Sequence, residues 1–266
     1  MAEVAGHRMP IPLPRRWIAD LLHAGRRVPT VTVERDVNVS AVAAARRQLA
    51  NPPAWMLLFA KAYAQVAARR PELRRAYLPF PWPHLFQADE SVATVAVERE
   101  YMGEPAVFFA HIRHPDRQPL RQLVTHLNRW RTHPIENIRS FSRLIRYSKY
   151  PWPMRRMAWW YAVNASRRCR LRVLGTFGVS VTASEGATAL NLISPLTTTV
   201  NYGLFRADHT LPVRVHFDHR VMDGAPVARA LADLEETLNT DIVQELRQMA
   251  DEPIRMVTPG IWAEAA

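Results

Sequence analysis

The chain has 266 residues, of which 48% are hydrophobic and 22% charged, so it can bury a full core and is too apolar for a disordered chain. No apolar run reaches the roughly 18 residues a spanning helix needs, and the start MAEVAGHRMPIPLPRR has neither the apolar stretch nor the cleavage site of a secretory leader, which leads us to expect a cytoplasmic protein. The one cysteine, Cys169, excludes an intrachain disulfide and a multi-thiolate metal cluster.

The net charge of +11 is unevenly placed. Residues 113–172 hold 15 basic side chains and only two acids, Asp116 and Glu136, a local balance of +13, while the rest of the chain sums to −2. Apart from Lys61 and Lys149 every basic residue is arginine, whose planar fork suits phosphate and carboxylate. Such a segment attracts anions, although the commoner role of a basic run is a solvated helix face. No nucleic-acid recognition pattern accompanies it.

In chain order, residues 1–14 read as a Pro-rich arm. Trp17, Ile18, Leu21 and Leu22 give Arg15–Arg27 helical spacing. Val28–Val39 alternates like a strand, with an irregularity expected near Glu34. Ser40 is expected to cap a short helix through Leu49. Ala54–Arg70 is a second amphipathic helix, and Tyr77–Phe86 is a Pro- and aromatic-rich loop. Ser91–Val97 and Ala106–Ile112 read as strands, and Gln118–Trp130 as a helix opened by Pro119. The Arg- and Trp-rich part, 131–172, is broken at Pro151-Trp152-Pro153. Strands follow at Gly175–Ala183, Thr198–Leu204 and Leu211–Phe217. Pro226–Asn239 is a helix, and 251–266 a tail. This irregular mixture predicts an α+β layer rather than a doubly wound sheet, as one domain over 15–250.

The stretch that carries chemistry is His216-Phe217-Asp218-His219-Arg220-Val221-Met222-Asp223-Gly224-Ala225. A histidine between a strand and a helix is held by the sheet and open to a cleft. An imidazole, whose unperturbed pKa lies near neutrality, can act as general base. Asp223-Gly224 supplies a tight turn. Strand alternation puts His216 and Asp218 on one face and Phe217 and His219 on the other, which argues against a joint metal site. By that reading His216 lies behind the site or at the surface. His111, His114, His126 and His133 show no ligand spacing. Cys169 sits among arginines, but a lone cysteine more often simply packs.

His219-x-x-x-Asp223-Gly224 resembles the signature of the dihydrolipoamide acyltransferase catalytic domain, which shares the chloramphenicol acetyltransferase fold. Other segments are similar in order: Val28-Pro29 with Val31–Val39, Gly175-Thr176-Phe177-Gly178-Val179-Ser180, Ser194-Pro195 with Thr199–Gly203, and Leu211-Pro212-Val213. The resemblance spans about residues 15–245. It implies a mixed β-sheet with flanking helices, assembled as a trimer whose active sites lie between chains. It implies His219 as general base on the acceptor, Ser180 as hydrogen-bond donor to the tetrahedral oxyanion, and Asp223 as an ordering residue paired with an arginine, for which Arg15 and Arg16 are candidates. Gly224 belongs to the turn. The donor it implies is acyl-CoA or an acyl carrier protein, with no covalently bound cofactor and no metal.

Three departures qualify the resemblance. The chain has no lipoyl or subunit-binding domain, and neither lysine suits a lipoyl attachment. Val181-Thr182-Ala183 stands where the family continues Asn-Leu-Gly after the serine. The stretch from Leu120 to Gly175 is longer than the family pattern. Its Trp, Met and Arg residues suit a membrane interface or a pocket for an apolar acceptor or long acyl chain. The competing reading is a non-catalytic trimeric scaffold that holds a partner or a membrane surface through the basic segment. A condensation-type enzyme is a weaker alternative, because Asp218 stands where it would need a second histidine.

Overall fold

The structure is a computed structural model, and residues 6–251 are described. Its centre is a six-stranded mixed sheet in the order β1-β8-β7-β6-β4-β5, with a separate hairpin of β2 and β3. The strands are β1 (Thr30–Asn38), β2 (Arg75–Leu78), β3 (His84–Gln87), β4 (Val92–Tyr101), β5 (Glu104–Arg113), β6 (Phe177–Val179), β7 (Thr198–Tyr202) and β8 (Thr210–Asp218). The helices are α1 (Leu13–Gly25), α2 (Ser40–Arg47), α3 (Trp55–Arg69), α4 (Leu120–Thr132), α5 (Arg139–Ser148), α6 (Trp152–Asn164), α7 (Arg167–Val173), α8 (Gly224–Thr237) and α9 (Val243–Asp251). The α+β expectation therefore holds. No described helix is long and apolar enough to cross a membrane.

Alternation along the strands creates two different faces. Ala93, Val95, Phe108, Ala110, Phe177, Val179, Val200 and Val215 point to one side and are buried. There α3 packs its apolar surface: Phe59 stacks on Tyr202 at 4.5 Å and Tyr63 meets Phe177 at 4.8 Å. α3 is buried nearly all round, so it is a core helix rather than a half-exposed one. Its one lysine, Lys61, is buried with it. The ammonium reaches Glu245 Oε2 at 2.6 Å and donates to the Gln118 carbonyl at 2.7 Å, which supplies the partners a buried cation requires.

The other face carries Thr94, Ala96, Phe109, His111, Gly178 and Thr199. β4 and β5 join through Met102-Gly103, both at positive φ, which is the two-residue turn that matches strand twist. The chain then leaves β5, runs through α4–α7, and returns in β6, parallel to β4 and β7. Gly175, at φ +76°, makes the return. A Cβ there would stand 2.5 Å from the Val92 carbonyl oxygen, so only glycine fits.

Four sequence expectations are corrected. β1 pairs with β8 without interruption from Thr30↔Asp218 to Asn38↔Thr210, so Glu34 marks no irregularity. Ser40 is the first residue of α2 and caps nothing; Asn38 Oδ1 instead accepts from the Ser40 backbone N–H at 2.9 Å. Tyr77–Phe86 is not all loop: β2 and β3 pair across it. β6 is three residues long, and the chain leaves the sheet at Ser180.

Candidate active site

β8 delivers the histidine motif. Its ladder with β1 is extended by one bond, in which the His219 N–H donates to the Pro29 carbonyl at 3.0 Å. His219 is thus the first residue past the strand, anchored by its backbone, with its side chain about half exposed at 48%. Asp223 is the N-cap residue of α8, although its side chain caps nothing. Its carboxylate lies 3.7 Å from His219 Nδ1 and is 84% exposed. Among the described residues no arginine pairs with Asp223. Arg16 donates to the Ile11 carbonyl at 3.1 Å, and Arg15 is exposed on α1. The expected arginine partner is therefore not supplied by Arg15 or Arg16 of the same chain. Gly224 begins α8, where a Cβ would touch Val33 at 3.7 Å, so space does not demand glycine there.

Asp218, immediately before His219, is fully buried. Arg220 closes back on it, Nε to Oδ1 at 2.9 Å and Nη2 to Oδ2 at 2.7 Å, with its guanidinium 4.4 Å from the centre of the Tyr77 ring. The Arg220 backbone N–H also reaches Asp218 Oδ1 at 3.0 Å. Beneath them lies Arg170, which donates to the Val163 and Pro195 carbonyls at 3.0 and 2.8 Å. Burial pushes its guanidinium down to about 10, opposed by the Asp218 charge. This ionic knot fixes the turn that presents His219. It also ties the turn to α7, so the basic segment is not simply a solvated face. His216 is only 3% exposed and lies 2.8 Å, Nδ1 to Oγ1, from Thr32. It is therefore buried and not at the surface, and its Nε2 has no hydrogen-bond partner among the described residues. Burial, and secondarily Arg214, holds its imidazole below the usual range.

Ser180 lies elsewhere on the sheet. Its N–H donates to the Val200 carbonyl at 3.1 Å, and its hydroxyl makes no hydrogen bond among the described residues. By register Ser180 is level with Arg214, two strands over and five residues back from His219. That separates the two by ~19 Å, from ~3.3 Å per residue and ~4.8 Å per strand. One chain does not bring them together.

The pocket expected of the Arg- and Trp-rich segment opens above Ser180, a placement that the sequence did not indicate. A cavity of about 640 Å³ lies between the second sheet face and α5–α7. Thr94, Ala96, Phe109, His111, Gly178 and Ser180 line its floor, and Leu144, Trp159, Ala162 and Cys169 its roof. α5 wraps the β5 edge of the sheet: its Phe141 stacks at 4.6 Å on Phe108 of the first face, while its Leu144 faces the cavity. α6 is fixed to α1 by Asp20, whose carboxylate meets Arg155 at 3.2 Å and Arg156 at 3.6 Å. Burial raises the Asp20 carboxyl above its ordinary value despite both guanidiniums. His111 Nε2 lies 3.0 Å from the Val173 carbonyl. Burial lowers its pKa, the carbonyl opposes this, and Arg143 and Arg113 add to the lowering. His111 is two strands from Ser180, too far for a dyad. Of the remaining histidines, His114 pairs with Glu90 at 3.0 Å and His126 stacks on Trp130.

No protein-family model and no curated protein matches the chain. Solved structures do. A dihydrolipoamide acetyltransferase of Azotobacter vinelandii, studied for the roles of a serine, a histidine and an asparagine in catalysis, is 19% identical at a TM-score of 0.62, over 91% of this chain and 95% of that one. A probable dihydrolipoamide acetyltransferase of Listeria monocytogenes is 14% identical at a TM-score of 0.62, over 89% and 95%. The catalytic core of a 2-oxoacid dehydrogenase complex from Thermoplasma acidophilum is 16% identical at 0.60, over 88% and 99%. The chain has the fold of a dihydrolipoamide acyltransferase catalytic core. This is the architecture that the His219-x-x-x-Asp223-Gly224 resemblance implied.

Proposed function

We propose that the protein is an acyltransferase that moves an acyl group from a thioester, of CoA or an acyl carrier protein, to a hydroxyl, amine or thiol. His219 takes the acceptor proton as the acceptor oxygen, sulfur or nitrogen attacks the thioester carbonyl. Ser180 donates a hydrogen bond to the tetrahedral oxyanion, a contribution often worth ~3 kcal/mol. The imidazolium then returns its proton as the thiolate leaves. Asp223, 3.7 Å from Nδ1, helps to order the ring.

The observation that carries the reading is the fit of the acetyltransferase fold along nine-tenths of the chain, with His219 at its strand end and an unpartnered Ser180 hydroxyl above β6. With ~19 Å between them, His219 and Ser180 can serve one reaction only across an interface, so we propose a homotrimer in which different subunits contribute them.

The test uses thiol release from a panel of acyl-CoAs, with cell extract supplying acceptors. His219→Ala and Ser180→Ala are each expected to abolish or strongly depress it. Co-refolding the two variants at equal amounts should restore about a quarter of wild-type turnover, because about one interface in four receives both intact side chains. Absence of recovery would place the site within one chain. Thiol release that survives His219→Ala would remove the general-base role.

A further inference from the structure

The cavity beside Ser180 has chemistry that the transfer reaction alone does not explain. Its lining is largely aliphatic and aromatic, from Leu21, Ala96, Phe109, Leu144, Trp159 and Ala162. Phe109 and Ala96 lie in mid-strand yet are incompletely buried, because the roof helices stand off the sheet above them. A void of about 640 Å³ falls in the range, ~300–1,000 Å³, that encloses a whole ligand rather than a few waters. The space also has charge on one sign only: Arg143, Arg146 and Arg172 border it, and among the described residues none of the three pairs with a carboxylate. Arg146 and Arg172 are exposed, so their charge lies towards solvent while the apolar walls lie within. The unpartnered Ser180 hydroxyl opens onto the same space.

An apolar chamber, unpartnered hydroxyls at Ser180 and Thr199 and a cationic border match an apolar chain that ends in a carbonyl and continues into an anionic carrier. We propose that this cavity is the acyl-chain site, and that the transferred group is a long fatty acyl chain rather than acetyl. The inference rests on the thioester-transferase reading and assigns its donor. The chain lies between the sheet and α5–α6, the carbonyl sits at Ser180, and the arginines face the phosphates of the carrier.

Calorimetric binding of a series of acyl-CoA thioether analogues, from acetyl to hexadecanoyl and below micelle formation, tests this without turnover. Each added methylene should tighten binding about fourfold until the cavity is full. Ala158→Trp, which fills the roof from α6, should leave acetyl binding unchanged and flatten the gain for long chains. Leu144→Trp fills the same space from α5 and serves if the first variant does not fold. If neither folds, the wild-type slope decides. His219→Ala should bind the series as wild type does. A flat wild-type slope, or a slope untouched by a folded filling variant, overturns the proposal. A flat slope with turnover intact would assign the cavity to an apolar acceptor instead. A steep slope with no turnover from any donor would leave the chain site standing and count against the transferase reading alone.

Discussion

If the roof of the cavity is part of the protein's core, removing one ring from it should cost as much as a change at the centre of the sheet. Phe141 on α5 is completely buried, stacked at 4.6 Å on Phe108, which in turn meets Trp17 at 5.1 Å. Withdrawing a phenylalanine side chain from a buried site forfeits ~2–3 kcal/mol of transfer energy. The void left behind and the lost ring contacts raise this to ~3–5 kcal/mol. Phe141→Ala should therefore remove a large part of the ~5–15 kcal/mol that stabilises a typical domain. Urea unfolding followed by tryptophan fluorescence is the assay, at fixed protomer concentration because assembly contributes to apparent stability. With a slope of ~2–3 kcal/mol per molar, the midpoint should fall by ~1–2 M. Tyr147→Ala, on the same helix but exposed, should shift stability by only ~0.5 kcal/mol. If Phe141→Ala costs under ~1 kcal/mol and matches Tyr147→Ala, α5 is a loosely attached flap and the argument for a preformed cavity fails.

Other expectations can be checked in the same way. Asp218→Ala leaves Arg170 buried without its counter-charge and should cost ~3–5 kcal/mol in the same unfolding assay; a loss within ~1 kcal/mol would mean that the arginine knot does not hold the histidine turn. Gly175→Ala forces a Cβ against the Val92 carbonyl at positive φ and should cost more than ~1 kcal/mol; an unchanged Tm would refute the tight return into β6. His111 and His216 are both held below the histidine reference of 6.5 by burial. The folded protein therefore binds fewer protons than the unfolded chain. The stability these two contribute is present above 6.5 and lost as pH falls through their lowered values. His111→Gln and His216→Gln together should flatten the decline of Tm between neutral and mildly acid pH, and an equal decline in the double variant would exclude them as its source.

The parts of the fold that were legible in the sequence are those where one face of a long element is buried. Val227, Leu231 and Leu234 marked α8 because helical periodicity records burial directly; Val31, Val33 and Val37 marked β1 by alternation, although only Val37 is buried and Val31 is exposed. The hairpin of β2 and β3 was hidden by its own turn, where Pro79, Pro81 and Pro83 outweigh two four-residue strands. β6 was read too long because Val181-Thr182-Ala183 has strand-like composition, whereas the chain leaves the sheet at Ser180. At the site, His219, Asp223 and Gly224 were legible because they fall in one short run. A pocket was suggested by the aromatic composition of 131–172, but its sheet floor was not legible, since Ala96, Phe109, Leu144, Ala162 and Ser180 come from five elements or their ends and share no local spacing. Nor was Arg170, which is buried among groups distant in sequence and donates to the Pro195 carbonyl 25 residues away.

The burial of Lys61 has a practical consequence. Locked between Glu245 and the Gln118 carbonyl, its amine is closed to acylating reagents, while Lys149 at the C-terminal end of α5 is exposed. Amine-directed labelling of the folded protein thus has one lysine to mark besides the N-terminal amine, just beyond Arg146 and Tyr147 on the rim of the cavity. A dye placed there would report on the helical roof separately from the sheet, without a single engineered residue.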